Sequence, residues 1–152
     1  QGAITLDGSE NASVTYSQCC HPIPGDEIVG YLGRGEGLAV HRSECANARK
    51  LQQKDSERFI GVEWSEEPVR NFETAIEVSV VNGKGVLARV AGAMAASETD
   101  IVHVDMGHET AQDTAELRFT ISVRDQQHLD AVLRQLKRTP SVIKAERQTL
   151  HT

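Results

Sequence analysis

Cys19, Cys20, His41 and Cys45 are the residues of this chain best suited to chemistry. They include all 3 cysteines, and His41 and Cys45 stand at H-x₃-C spacing. Thiolates and an imidazole converging on one point make a tetrahedral zinc site. A Cys₃His set fills all four positions and leaves none for substrate. The same residue types admit other chemistry. They suit a redox pair, a Cys–His nucleophile with Asp26 orienting His41, or an unmetallated cluster of buried thiols. His21 is an alternative ligand, because two adjacent cysteines share one metal awkwardly. A nucleophile would further need an oxyanion site and a cleft, which so small a domain gives no sign of offering.

The elements around these residues are those that would bring them together. Val14 to Ser17 is a short strand. Pro22 and Pro24 hold the backbone extended after the cysteine pair, and Gly25-Asp26 makes a turn. Glu27 to Leu32 and Leu38 to Arg42 read as strands joined by the hairpin loop Gly33-Arg34-Gly35-Glu36-Gly37. That glycine loop leads into a strand rather than a helix and carries an acid, so it is a hairpin and not a phosphate cradle. Ser43 is the expected N-cap of a helix reaching Lys54, with Cys45 in its first turn, where the helix dipole favours a thiolate. Phe59 to Trp64 closes this first domain, expected over 13–65, as one strand with Ile60, Val62 and Trp64 on one face. A domain this small often needs a staple such as a metal. Residues 1–12 are polar and without a period, which predicts a flexible lead-in.

A linker over 66–71 precedes a second domain over 72–149, with 150–152 as a tail. Phe72, Thr74, Ile76, Val78 and Val80 alternate as a strand; Leu87, Val90, Ala91 and Met94 repeat at helical spacing. Ile101 to Met106 is a strand, and Ala115, Leu117, Phe119, Ile121 and Val123 alternate again. Leu129, Val132, Leu133 and Leu136 form a second helical stripe, Pro140 stops it, and Val142 to Arg147 is the last strand. The order βαββαβ predicts a ferredoxin-like sheet with two helices on one face. The fold class is therefore α+β: a small ββαβ-type cysteine domain followed by a ferredoxin-like one. Ala75 and Val81 put apolar side chains on the other face of the first strand, so packing against a partner is expected there.

The turn Asn82-Gly83-Lys84-Gly85 joins that strand to its helix. Free amides at a helix start suit a carboxylate, with Val86, Leu87, His103 and Asp105 lining the neighbouring wall. The plainer alternatives are a tight turn and an ordinary sheet histidine. Trp64 reads as core rather than as a stacking platform for bases.

Composition bounds the remaining options. The chain has 152 residues, 39% hydrophobic and 25% charged, with net charge −6. It is not a basic nucleic-acid module in bulk. Basic residues at Arg49-Lys50 and Lys137-Arg138 read as solvated helix faces. No apolar run approaches the ~20 residues of a membrane span, and an odd number of cysteines suits a reducing cytoplasm. A start at Gln1-Gly2 suggests a piece of a longer protein.

The run from Cys19-Cys20 through Pro22-Ile23-Pro24-Gly25-Asp26 and Ile28-Val29-Gly30-Tyr31, then Gly33-x-Gly35 and Val40-His41-Arg42-x-x-Cys45, resembles the conserved-cysteine (zinc-finger, or ribosome-intersubunit) domain of the long Rel/SpoT proteins. These are the (p)ppGpp synthetase/hydrolases of the bacterial stringent response. The unit that follows resembles their closing ACT domain. The resemblance implies no catalysis in this chain, since the hydrolase and synthetase domains of the family lie N-terminal to this region. It implies regulation of that catalytic half, an amino-acid ligand (a branched-chain one being the first to test) or a regulatory protein at the ACT turn, and a homodimer through the ACT domain. It also implies a contact with ribosomal RNA, for which Arg34 and Arg42 are the expected residues. The class-distinct alternative is a zinc-stapled ribosome-binding module.

Overall fold

The two apolar patterns fold as two units, residues 1–72 with 149–152 and residues 73–148. The computed structural model describes residues 3–107, 113–148 and 150. Of the expected lead-in, residues 1–2 lie outside these, as do 149 and 151–152 around the expected tail.

In the first unit the strands are β1 (Ile4–Leu6), β2 (Val14–Tyr16), β3 (Ile28–Leu32), β4 (Leu38–Arg42), β5 (Phe59–Ile60) and β6 (Val62–Trp64), with helix α1 (Ala46–Lys54) after β4. The main sheet runs β2-β4-β3-β5; β3 pairs antiparallel with β4 and β5, and β2 parallel with β4. The expected β3-β4-α1-β5 centre is present, extended by β1, β2 and β6. Side chains alternate across β4, so Leu38 and Val40 enter one cluster with Leu6 and Val62, while His41 faces the other way. Val29, paired with His41, packs on a second cluster of Cys20, Cys45 and Ala48, which Leu150 also joins. One face of the sheet thus carries the hydrophobic core and the other carries the cysteines.

Three expectations are corrected in this unit. Residues 4–6 are not a flexible lead-in: β1 pairs parallel with β6, and Leu6 is 0% exposed in the core. A single buried leucine flanked by polar residues is too little to show a period, yet burying it contributes about 1.5–3 kcal/mol. Phe59–Trp64 is not one strand but two, broken at Gly61, with β5 on β3 and β6 on β1. Ser43 is not the N-cap of α1. Its amide donates to the Glu27 carbonyl in a turn, and Cys45 takes the cap position with extended backbone. At the hairpin, Gly37 has φ +80°, and a Cβ there would collide with the Ser13 carbonyl.

The second unit comprises β7 (Phe72–Val81), α2 (Val86–Ala96), β8 (Asp100–Asp105), β9 (Thr114–Val123), α3 (Gln126–Lys137) and β10 (Val142–Arg147). Its sheet order is β10-β7-β9-β8, the ferredoxin-like arrangement. Ile76, Val78 and Val80 of β7 and the five apolar residues of β9 are buried, as are Leu129, Val132 and Leu136 of α3. The inward stripe of α2 is Val86, Val90 and Met94 at i, i+4, i+8, so Leu87 falls on the flank and is 41% exposed. The helix begins only at Val86, and that phase sets the stripe. The open face of the sheet is polar. Arg118 meets Glu77 at 3.2 Å, Ser79 donates to Glu116, and Lys144 meets Glu146 at 3.2 Å. Ala75 on that face is buried, and Val81 remains 44% exposed.

Candidate metal centre

Four ligand atoms, one each from Cys19, Cys20, His41 and Cys45, lie within 4.8 Å of one another. Three local devices bring them there. Beyond β2, the amides of Cys20 and His21 both donate to the Ser17 carbonyl, and this turn presents the two thiols. His21 sits at φ 47°, and Pro22, Ile23 and Pro24 are buried behind it. Asp26 accepts the Ile23 amide at 2.9 Å and clips the loop shut. β4 delivers His41 from the sheet, and the start of α1 delivers Cys45.

The spacings fit a zinc ion. Ideal tetrahedral bonds to sulfur and nitrogen place S···S at about 3.8 Å and S···N at about 3.6 Å. Here Cys19 Sγ is 3.6 Å from Cys45 Sγ and 4.0 Å from Cys20 Sγ. His41 Nδ1 is 3.4 Å from Cys19 Sγ and 3.9 Å from Cys20 Sγ. The adjacent cysteines therefore both face the centre, and His21 is not part of the set.

Protonation agrees with the donor chemistry. Burial pushes the Cys20 thiol far up, and burial also raises Cys19. Burial alone would raise Cys45 as well, but the Ala48 and Asn47 amides and the neighbouring thiols outweigh it and hold that thiol below the ordinary cysteine range. Burial holds the His41 imidazole toward its neutral form, as a ligand must be. Without a cation, burial favours the protons of Cys19 and Cys20; a divalent cation reverses that balance.

The nucleophile reading loses its third group. Asp26 does not orient His41. Its carboxylate holds the Ile23 amide and lies 3.9 Å from Arg42 Nε. The partner of His41 Nε2 is Ser17 Oγ at 3.2 Å, a residue that carries no signal in the sequence. Arg42, an expected RNA contact, has a side chain only 13% exposed, and its Nη2 meets Glu44 at 2.6 Å. Arg34 is exposed in the hairpin loop.

The turn of the second unit is assembled differently from the expectation. Asn82, Gly83, Lys84 and Gly85 are exposed, and Gly85 caps α2 at φ 77° with no side-chain cap. Val86 is buried, and Arg89 reaches back to Ser141 Oγ at 3.1 Å. His103 and Asp105 are exposed on β8, but β9 separates that strand from β7, roughly 10 Å at ordinary strand spacing. The structure does not bring them beside the turn. The nearer neighbour is Asp113, whose carbonyl accepts the Asn82 amide.

Comparison with known proteins rests on this geometry. Residues 4–65 match the family model of the RelA/SpoT RIS domain, and residues 68–147 match that of the ACT domain. The chain is the C-terminal RIS–ACT region of a Rel/SpoT protein. It is 33% identical over 147 residues to the bifunctional (p)ppGpp synthase/hydrolase SpoT of Escherichia coli K12. It is 31% identical over 146 residues to the GTP pyrophosphokinase of the same strain. Each alignment covers 96% of this chain and 20% of the relative, so the chain spans about a fifth of the length of these Rel/SpoT proteins. The RIS match begins at residue 4, the first residue of β1. An ACT domain from the GTP pyrophosphokinase of Chlorobium tepidum overlays 51% of the chain with TM-score 0.44 and 17% identity, too loosely to argue from.

Proposed function

We propose that this chain regulates (p)ppGpp metabolism and is not itself an enzyme: a zinc-stapled RIS unit and an ACT unit that set the balance between synthesis and hydrolysis by an N-terminal catalytic half. The observation that carries this reading is the joint match to both regulatory domains across nearly the whole chain. The Cys₃His set supports it, because a closed four-donor site stabilises a small domain and leaves no position for substrate. When bound, zinc supplies folding energy. Cys19, Cys20, His41 and Cys45 would hold it. The ACT turn, with exposed residues at 83–85 and a helix start that no side chain caps, suits the carboxylate of an amino acid such as a branched-chain one. A regulatory protein is the alternative occupant of the unit. Homodimerisation of the ACT unit would use the edge of β8 or the open sheet face, where Val81 is exposed. No described helix is long and apolar enough to cross a membrane, and three free thiols suit the cytoplasm.

The test compares the intact parent protein with a version lacking residues 4–147, measuring (p)ppGpp synthesis and hydrolysis side by side. A changed ratio of the two rates is expected. An unchanged ratio overturns the regulatory role, and turnover of either substrate by the 152-residue chain alone overturns its non-catalytic status. The ribosome reading keeps Arg34 as its exposed contact. Tight, salt-sensitive ribosome binding by this chain would favour it.

A further inference from the structure

The geometry points to Ser17 as the positioning residue of the metal centre: its hydroxyl fixes the His41 tautomer that makes Nδ1 the ligand. This rests on the zinc reading and goes beyond it, because Ser17 supplies no bond to the ion.

A neutral imidazole has one N–H and one lone pair, and its two nitrogens compete for them. Nδ1 of His41 faces Cys19 Sγ at 3.4 Å and Cys20 Sγ at 3.9 Å, so the lone pair is needed there. The proton must then sit on Nε2, which lies 3.2 Å from Ser17 Oγ. In that tautomer Nε2–H donates and the hydroxyl accepts. Such an outer partner both selects the nitrogen that binds and makes it more basic.

Ser17 is itself held in place. Its amide donates to the Val40 carbonyl at 3.0 Å, continuing the ladder of β2 on β4. Its carbonyl accepts the His21 amide at 2.9 Å and the Cys20 amide at 3.5 Å. One residue therefore ties together three parts of the site: the turn that carries Cys19 and Cys20, the strand that carries His41, and the ring orientation of that histidine. Its main-chain bonds survive substitution by alanine or threonine, so the hydroxyl can be removed without dismantling the turn.

The test uses the full 152-residue chain as wild type, Ser17→Ala, Ser17→Thr and Cys45→Ser. Zinc affinity is measured by competition with a chromophoric chelator, and the His41 ring by long-range ¹H–¹⁵N correlation with and without zinc. Ser17→Ala should weaken zinc about 10- to 100-fold, the range typical of lost outer-shell partners. Ser17→Thr, which keeps the hydroxyl, should stay within about threefold of wild type. In zinc-free protein the wild-type ring should be the Nε2–H tautomer, and Ser17→Ala should lose that preference. Unchanged affinity and an unchanged ring in Ser17→Ala overturn the role of Ser17 while leaving zinc in place. Equal failure of wild type and Cys45→Ser to bind zinc overturns the metal reading. The zinc-free tautomer then still reports separately on the Ser17–His41 bond.

Discussion

At the scale of single residues, the four candidate ligands differ in exposure. Cys19 is exposed, whereas Cys20, His41 and Cys45 are buried. If zinc is bound at a thousand times its dissociation constant, it stabilises the folded unit by about 4 kcal/mol. Chelation, or Cys45→Ser, should remove that contribution and lower the melting temperature of residues 4–65, followed by circular dichroism; identical melts with and without chelator would contradict it. Asp26 offers a second test. Its carboxylate accepts the Ile23 amide inside a buried loop, so Asp26→Ala should cost about 1–3 kcal/mol in urea unfolding. A cost near zero would mean that the prolines alone hold the loop. The grouping of Cys19, Cys20, His41 and Cys45 was legible in the sequence, because cysteine and histidine are scarce and their spacing is visible. Ser17 and the ion-paired state of Arg42 were not. A serine at a strand end carries no signal, and of the two acids at Arg42 only Glu44 is near in sequence, Asp26 being brought there by the fold.

At the scale of elements, two connections reward measurement. β1 is three residues long, yet Leu6 is fully buried. Leu6→Ala should cost about 2–5 kcal/mol, the range for a buried leucine, against a few tenths for an unstructured tail. Urea unfolding of the variant decides between them. In the second unit, His128 at the start of α3 accepts the Arg124 amide on Nδ1 at 3.0 Å and meets the Ser97 carbonyl with Nε2 at 2.8 Å. It thereby ties the end of α2 to the loop before α3. His128→Ala leaves the Arg124 amide without its partner, while Thr99 Oγ1 still donates to the Ser97 carbonyl, and should cost about 1–3 kcal/mol, with faster hydrogen exchange at the Arg124 amide. Slow exchange at that amide would place its protection elsewhere. Strong alternation made β7 and β9 legible in advance, and helical spacing did the same for α3. In α2 the expected Val90 and Met94 are buried, and only the first member of the stripe was misplaced, because Val86 and Leu87 are both apolar and the turn at Gly85 decides which begins it.

At the scale of the whole molecule, charge decides between partners. The net charge is −6, and Arg42 spends its charge internally. The chain should therefore bind unstructured RNA no more tightly than about 10⁻⁴ M at physiological salt, the weak end of non-specific binding. Fluorescence anisotropy over a salt series checks this; micromolar binding that weakens steeply with salt would return RNA to the front. The order of the two units could be read from the sequence, because a linker with Pro68 separates two distinct patterns. The polar open face of the second sheet could not be read from β7 alone, since Ala75 and Val81 suggest an apolar surface until the register sets Glu77 against Arg118.

The pairing of β1 with β6 also bears on the order in which the first unit assembles. Ile4 meets Val62, whereas Cys19 and Cys45 are 26 positions apart. Loop-closure entropy favours the shorter circuit, so the cysteine turn and its histidine can gather first, and the clasp of the first strand on the last closes afterwards. During synthesis, the earliest part of the unit waits for the latest to emerge, and a metal captured early would hold the middle in register meanwhile.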